Sequence, residues 1–441
     1  MRQRFLFLFS LLFLVAICFA IEDDFYSKDN GFVLLRVKDG KMVLSHNEQK
    51  EFSYASNVKL ITTLAALQEL GSHFTFKTKF KIVEDTLFVK AGADPTLVNE
   101  DLFKLSIMLK QQMITPISTY VIDESIFEGV EVATKSQNSG SGRAYYAQLS
   151  PISLNYNTFQ IEVVPSGLGK KPHLYLRTPG SYFVLQNRAT TSPGKTKLKA
   201  QATRAKNKTE VVIQGNINID DIGQSYSFRV FHPTAHFVSV LSYALGGQRS
   251  PNIVFRKLED ELFTGSGSFF LESKKLGEVI KLMNYYSSNF ISESLAAHLA
   301  KHTSKKNGTQ ALENYVFGRF KKKISLTSAS GLGKNMLTPD FIIRLLAYAH
   351  SKPLLALDFF GSLPTYGRDG TLKDTKGFET EDVLRAKTGS LRGVNSISGI
   401  MTASSGELFL FTFVTNKKNL YQKGHIQQVR NRFLKQIWSE N

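Results

Sequence analysis

Ser56 and Lys59 stand three residues apart at the head of a stretch whose leucines repeat at helical spacing. On a helix that interval places both side chains on one face, one turn apart, and brings the lysine nitrogen within reach of the serine hydroxyl. A serine hydroxyl is a weak nucleophile until a base takes its proton, and no other base type stands beside Ser56, so Lys59 must be partly neutral to serve. Burial and a nearby second ammonium both push a lysine pKa down, and Lys387 is the candidate for that second charge. Lys387-Thr388-Gly389, followed by Ser390-Leu391 and a strand-like run, reads as the start of an edge strand facing a cleft. Gly389 removes a side chain where backbone must approach a ligand. Lys387, Thr388 and Ser390 around it could bind a terminal carboxylate, and the backbone amides of Ser56 and Ser390 could form an oxyanion hole.

Each piece alone also has an ordinary reading, as a solvent-facing serine and lysine on a helix or as a routine surface turn. Short patterns recur in this chain. Ser192-Pro193-Gly194-Lys195 repeats the Ser-x-x-Lys spacing, although its proline and glycine disfavour a helix. Ser136-Gln137-Asn138 and Ser153-Leu154-Asn155 repeat the Ser-x-Asn of Ser287-Ser288-Asn289. The specific signal is the ordered set of Ser56-Asn57-Val58-Lys59, Ser287-Ser288-Asn289 and Lys387-Thr388-Gly389, a trio known in β-lactamases and penicillin-binding proteins.

Over nearly its whole length the chain resembles the D-alanyl-D-alanine carboxypeptidase/endopeptidase family of class C low-molecular-mass penicillin-binding proteins. Beyond the trio, the resemblance rests on Gly92-Ala93-Asp94-Pro95-Thr96-Leu97, on Ser150 to Asn157, on Ser330-Gly331-Leu332 and on Leu363 to Leu372. The 227 residues between Lys59 and Ser287 suit a peptidase domain interrupted by a large insert. Two stretches depart from the family: Tyr54-Ala55 where Pro-Ala usually precedes the serine, and Ser328-Ala329 where Asp-Gly often precedes Ser-Gly-Leu. The second departure alters the charge near a cleft segment.

The resemblance implies an α+β fold of the serine β-lactamase/penicillin-binding-protein type, an antiparallel five-stranded sheet between helices, with a β-rich insert of two sub-lobes. It places the peptidase domain at 21–78 and 264–441 and the insert at 79–263. It implies a serine D-Ala-D-Ala carboxypeptidase and/or endopeptidase acting on peptidoglycan stem peptides and cross-links and acylated by β-lactam antibiotics, with neither cofactor nor metal. In the implied mechanism Lys59 activates Ser56, Ser287 passes a proton to the leaving nitrogen, and Asn289 positions the substrate amide and Lys59. Lys387, Thr388 and Ser390 hold the terminal carboxylate beside Gly389. Arg392 could meet an acidic group of the stem peptide or be a solvated turn residue. A β-lactamase would share the acylation groups but deacylate penicillin quickly, and a non-catalytic envelope-binding protein would not need all three motifs.

These groups must be positioned by a chain of 441 residues, long enough for two or more domains, and 42% hydrophobic. Residues 1–20 read as a signal peptide: Arg2 and Arg4, then an apolar run from Phe5 to Ile17, then Cys18 and Ala20 as the small residues of a cleavage site. Cys18 is the only cysteine, so the exported form could make no disulfide. Export, to the periplasm or another part of the cell envelope, argues against nucleic acid as the partner of a chain with formal charge +18. It favours anionic envelope polymers or a membrane surface, or a charge excess that only aids solubility.

Asp39-Gly40 between two apolar runs signals a hairpin near the N-terminus. Leu60, Leu64 and Leu67, ended by Gly71, predict the helix that carries Ser56 at or just before its first turn. Alternating runs such as 159–164 and 211–214 predict strands in the insert, and 167–208, dense in Lys, Gly, Pro and Thr, reads as a possible sub-lobe. Leu276, Ile280 and Met283, then Ile291, Leu295 and Leu299, predict two further helices. Runs 397–402 and 408–415 predict a second hairpin. Ile426, Val429, Phe433 and Ile437 form a last apolar stripe that packs on a sheet or touches a membrane.

Overall fold

The computed structural model describes residues 25–111, 115–132, 142–247, 251–375, 383–417, 430–435 and 438. The expected signal peptide lies outside them. The chain forms two compact units: residues up to 72, 280–288 and from 309 onward make the first, and 73–279 with 289–308 make the second. The expected insert, 79–263, falls inside the second unit, which also takes in 73–78, 264–279 and 289–308.

The first unit is built from both chain ends around one antiparallel sheet, in the order Leu384–Leu391, Val394–Thr402, Leu408–Asn416, Asn30–Arg36, Met42–His46. Both predicted hairpins are present, the first closed by Gly40 at φ +67°. Because side chains alternate along each strand, the sheet has two unlike faces. One is aromatic: Phe32, Phe411 and Phe413 pack with Phe25, Phe433 and Leu434. Phe433 of the terminal stripe is thus a core residue, whereas Ile426, Val429 and Ile437 lie outside the described residues.

The other face is partly polar and equally buried. Register places Lys387 opposite Ser398, Ser398 opposite Thr412 and Thr412 opposite Val33, and all four are fully buried. In the same unit the helix Lys59–Glu69 is buried continuously from Lys59 to Leu67, its polar members Lys59, Thr62 and Thr63 included. Helix Pro339–His350, with Thr338 accepting from the Phe341 amide as its N-cap, packs on the strands Asn30–Arg36 and Leu408–Asn416.

Among the described residues the second unit holds two large cores, besides a small cluster of Ala93, Phe127 and Ala297. A mixed five-stranded sheet, in the order Asn252–Phe255, Thr119–Asp123, Thr86–Lys90, Lys77–Val83, Ser268–Glu272, shares its core with helices Asn99–Lys110 and Pro233–Leu245. Two three-stranded sheets enclose the other core, which includes Phe159, Ile161, Tyr182, Val211 and Ile213. This lobe spans about 158–229, wider than the 167–208 stretch suggested by composition. The two helices are the main departure from a β-rich reading. Leu102, Leu105 and Leu109 supply the apolar face of one, while Pro233 at the start and Gly246 in left-handed conformation at the end delimit the other.

Candidate active site

Ser56 sits in a single 3-10 turn, Ala55–Val58, that runs directly into the helix Lys59–Glu69. The turn starts from strained backbone: Ala55 holds φ +46°, a left-handed value that alanine rarely adopts. Neighbouring groups fix it there. Asn57 Nδ2 donates to Ser396 Oγ, and that hydroxyl donates to the Tyr54 carbonyl over 2.7 Å. Gly331 passes so close that a Cβ on it would stand 1.9 Å from the Ala55 carbonyl oxygen.

Lys59 Nζ lies 3.0 Å from Ser56 Oγ and donates to the Ser330 carbonyl at 2.7 Å. The side chain is fully buried. Ser287 occupies the turn between helices Leu276–Tyr285 and Asn289–His302, and it too has positive φ, +52°. Its hydroxyl accepts from Lys387 Nζ at 2.9 Å, and Lys387 also donates to the Thr388 carbonyl at 2.7 Å. Neither partner of this fully buried lysine is an anion. Burial first, and the charge of Lys59 second, hold the Lys387 pKa well below the usual lysine value.

Lys387 reaches Ser287 because strand Leu384–Leu391 runs along the edge of the sheet beside the Ser56 turn. A Cβ on Gly389 would stand 2.5 Å from the Tyr54 carbonyl oxygen and 3.0 Å from the Ser56 amide nitrogen. Only glycine lets the two backbones approach so closely. The first half of this edge is covered: the Ala386 amide donates to Pro364 and the Tyr366 amide to Leu384. By the alternation of the ladder, the amides of Thr388 and Ser390 turn outward in the same direction as that of Ala386.

The segment that covers the edge also braces the Ser287 turn. Asp369 Oδ2 accepts from the Tyr285 hydroxyl at 3.1 Å, Asp369 Oδ1 accepts from the Thr365 amide at 2.7 Å, and Thr371 Oγ1 meets Thr388 Oγ1 at 2.8 Å.

Ser56, Lys59, Ser287, Lys387 and Gly389 are therefore brought together as the motifs suggest. Asn289 opens the helix that begins two residues after Ser287 and belongs to the second unit. Thr388 and Ser390 lie on the open half of the edge strand. Arg392 is exposed in the turn before Val394 and makes no hydrogen bond or ion pair among the described residues. The rival Ser192 ends a strand and Lys195 is exposed beyond it, so this pair shares no helix. Ser153 donates to Ser150 in a structural turn, and Ser136-Gln137-Asn138 lies outside the described residues. Motif reading missed the buried layer beneath the nucleophile, formed by Tyr54, Asn57, Ser396, Ser398 and Thr412. Part of its signal was available: Ser396 and Ser398 alternate along a strand otherwise apolar enough to be buried.

A family model, D-Ala-D-Ala carboxypeptidase 3 (S13), matches residues 19–436. A D-alanyl-D-alanine carboxypeptidase of Actinomadura is 24% identical over 88% of this chain and 77% of its own length. Among solved structures, penicillin-binding protein 4 from Haemophilus influenzae superposes with a TM-score of 0.77 at 19% identity, covering 95% of this chain and 98% of that one. A predatory endopeptidase from Bdellovibrio bacteriovorus, acylated by penicillin G and in complex with an immunity protein, gives 0.55 at 17% identity over 93% and 92%. These structural likenesses show the shared fold, and the family match covers nearly the full length. The chain belongs to the D-Ala-D-Ala carboxypeptidase 3 (S13) family of serine peptidases.

Proposed function

We propose that Ser56 is the nucleophile that opens the D-Ala-D-Ala bond of peptidoglycan stem peptides, and that Lys59 is its base. The carrying observation is the 3.0 Å contact between Lys59 Nζ and Ser56 Oγ in a site where the lysine has no access to water. Lys59 takes the hydroxyl proton as Oγ attacks the carbonyl carbon of the penultimate D-alanine. The developing oxyanion is met by the amides of Ser56 and Ser390. Ser287 gives its proton to the leaving nitrogen and is itself supplied through its hydrogen bond from Lys387. Asn289 positions the substrate amide, and Lys387, Thr388 and Ser390 attract the terminal carboxylate. Water then hydrolyses the ester. The open half of strand Leu384–Leu391 offers an extended peptide a backbone to pair with.

A β-lactam presents an amide, strained by its ring, and a carboxylate in place of those of the peptide, so it acylates the same oxygen. Where the leaving group is a D-alanine the enzyme is a carboxypeptidase, and where it is the side-chain amine of a neighbouring stem it is an endopeptidase. The leader of residues 1–20 carries the chain to the envelope, and the second unit governs access of polymer more than bond chemistry. Digestion of purified cross-linked peptidoglycan tests the reading. Free D-alanine or loss of cross-linked dimers is expected, and an unchanged product profile from an enzyme that is acylated by penicillin would overturn it. Prompt release of hydrolysed penicillin would instead assign a β-lactamase.

A further inference from the structure

Residues 163–209 contain ten lysines and arginines and no aspartate or glutamate. None of the ten takes part in an ion pair among the described residues. Lysines elsewhere in the second unit do pair, Lys79 and Lys90 with Asp260, Lys257 with Glu128 and Lys306 with Glu131. The unpaired cations are sorted by the fold of the sheet Lys197–Ala205, Lys208–Asn218, Phe183–Ser192. Its inner face, with Ala189, Ala202, Val211 and Ile213, is core. On the outer face register aligns Lys199 with Gln214 and Gln214 with Arg188, and the next row aligns Lys197 with Asn216 and Asn216 with Thr190. Beyond that edge, Lys170 and Lys171 lie in a loop tied to Thr191 by two backbone hydrogen bonds, 2.9 and 2.8 Å.

The result is a face about 10 Å wide across the two strand spacings, with cations at both margins beside amides and a hydroxyl. Glu210 is the acidic residue of the outer rows, and Gln186 Nε2 donates to it. Unpaired ammonium and guanidinium groups beside amide side chains match a polymer bearing carboxylates and hydroxyls, because the charges attract from a distance and the amides hydrogen-bond to sugar or peptide. A membrane surface would call for apolar anchors, yet in the rows that join Lys197, Lys199 and Gln201 across the sheet the only apolar side chain is Val212.

We propose that this sheet face is a second, non-catalytic binding site for the peptidoglycan polymer, holding the carboxylates and sugars of strands that are not being cut. The proposal rests on the reading of the enzyme as a peptidoglycan peptidase. It is tested with full-length Ser56→Ala, which cannot digest its target, by co-sedimentation with purified sacculi stripped of lipid and accessory polymers, across a range of salt. Reversal of three charges, Arg188→Glu, Lys197→Glu and Lys199→Glu, should weaken sedimentation at least about tenfold and flatten its salt dependence. The neutral set Arg188→Gln, Lys197→Gln and Lys199→Gln should weaken it less. In the Ser56 background, both variants should keep the rate of acylation by penicillin, which also reports that they fold.

Sedimentation unaffected by either triple variant would overturn the proposal, as would binding to vesicles of anionic phospholipid in place of sacculi. An enzyme that penicillin acylates but that ignores sacculi defeats this site alone. One that binds sacculi through these residues but resists penicillin defeats the catalytic reading alone.

Discussion

Lys59 and Lys387 share a residue type with Lys197 and Lys199, and the fold treats the two pairs oppositely. The first pair is sealed beneath a sheet and a helix, with hydroxyls and carbonyls as neighbours, and burial drives the Lys387 pKa down. The second pair stands in water on an outward face. A buried ammonium is costly and readily neutral, so it can move protons, whereas an exposed one keeps its charge and acts over distance. Environment decides which lysine does chemistry.

The most severe way to break that contrast is to remove the base. Lys59→Met should slow acylation by penicillin by about a thousandfold or more while leaving sacculus binding intact. Rapid acylation of that variant would transfer the base role elsewhere. Next comes the backbone that holds the nucleophile. Gly331→Ala adds a Cβ 1.9 Å from the Ala55 oxygen at a position with φ +87°, and it should cost about 3 kcal/mol or more in denaturant unfolding. An unaffected midpoint would show that the Ala55 turn relaxes freely.

The second unit has its own buried cation-former. His236 is fully buried, neither ring nitrogen has a hydrogen-bond partner among the described residues, and burial pushes its pKa down to about 3. The folded state then binds fewer protons than the unfolded one between that value and the ordinary histidine pKa. Stability present above about pH 6.5 is therefore lost as pH falls toward about 3. His236→Leu should remove this dependence and gain about 2 kcal/mol at pH 5 relative to its effect at pH 8. Parallel acid-unfolding curves for the two proteins would reject the assignment.

The smallest effect concerns Lys387. Its lowered pKa means that between the folded and the ordinary lysine pKa folding expels a proton, so its cost to stability is fully present below the folded pKa and fades as pH rises toward about 10.4. Lys387→Met should stabilise the fold by about 1 kcal/mol at pH 7, with the gain vanishing near pH 10, while acylation falls. Repulsion between the two ammoniums is reciprocal, so the acidic limb of the residual acylation profile should move to higher pH. A limb that stays in place would confine Lys387 to holding substrate.

Much of this site was legible in the sequence because its chemistry is carried by short motifs. The Ser-x-x-Lys interval fixed one helical turn, and Gly389 marked a place where backbones touch. What was not legible came from register and from long-range contacts. Nothing local shows that Ser398 and Thr412 align with Lys387, that Asn57 reaches Ser396, or that Asp369 braces Tyr285. The helices Asn99–Lys110 and Pro233–Leu245 were readable from their leucine spacing and their Pro and Gly signals, but alternating strands on either side dominated the pattern.

Acylation by penicillin should turn Ser56 into an ester. Intact-mass measurement of the protein after brief exposure to penicillin, followed by peptide mapping, tests it most directly. A single adduct is expected, located on Ser56 and absent from a folded Ser56→Ala variant. An adduct on Ser192 or any other residue, or one that persists in that variant, would contradict it.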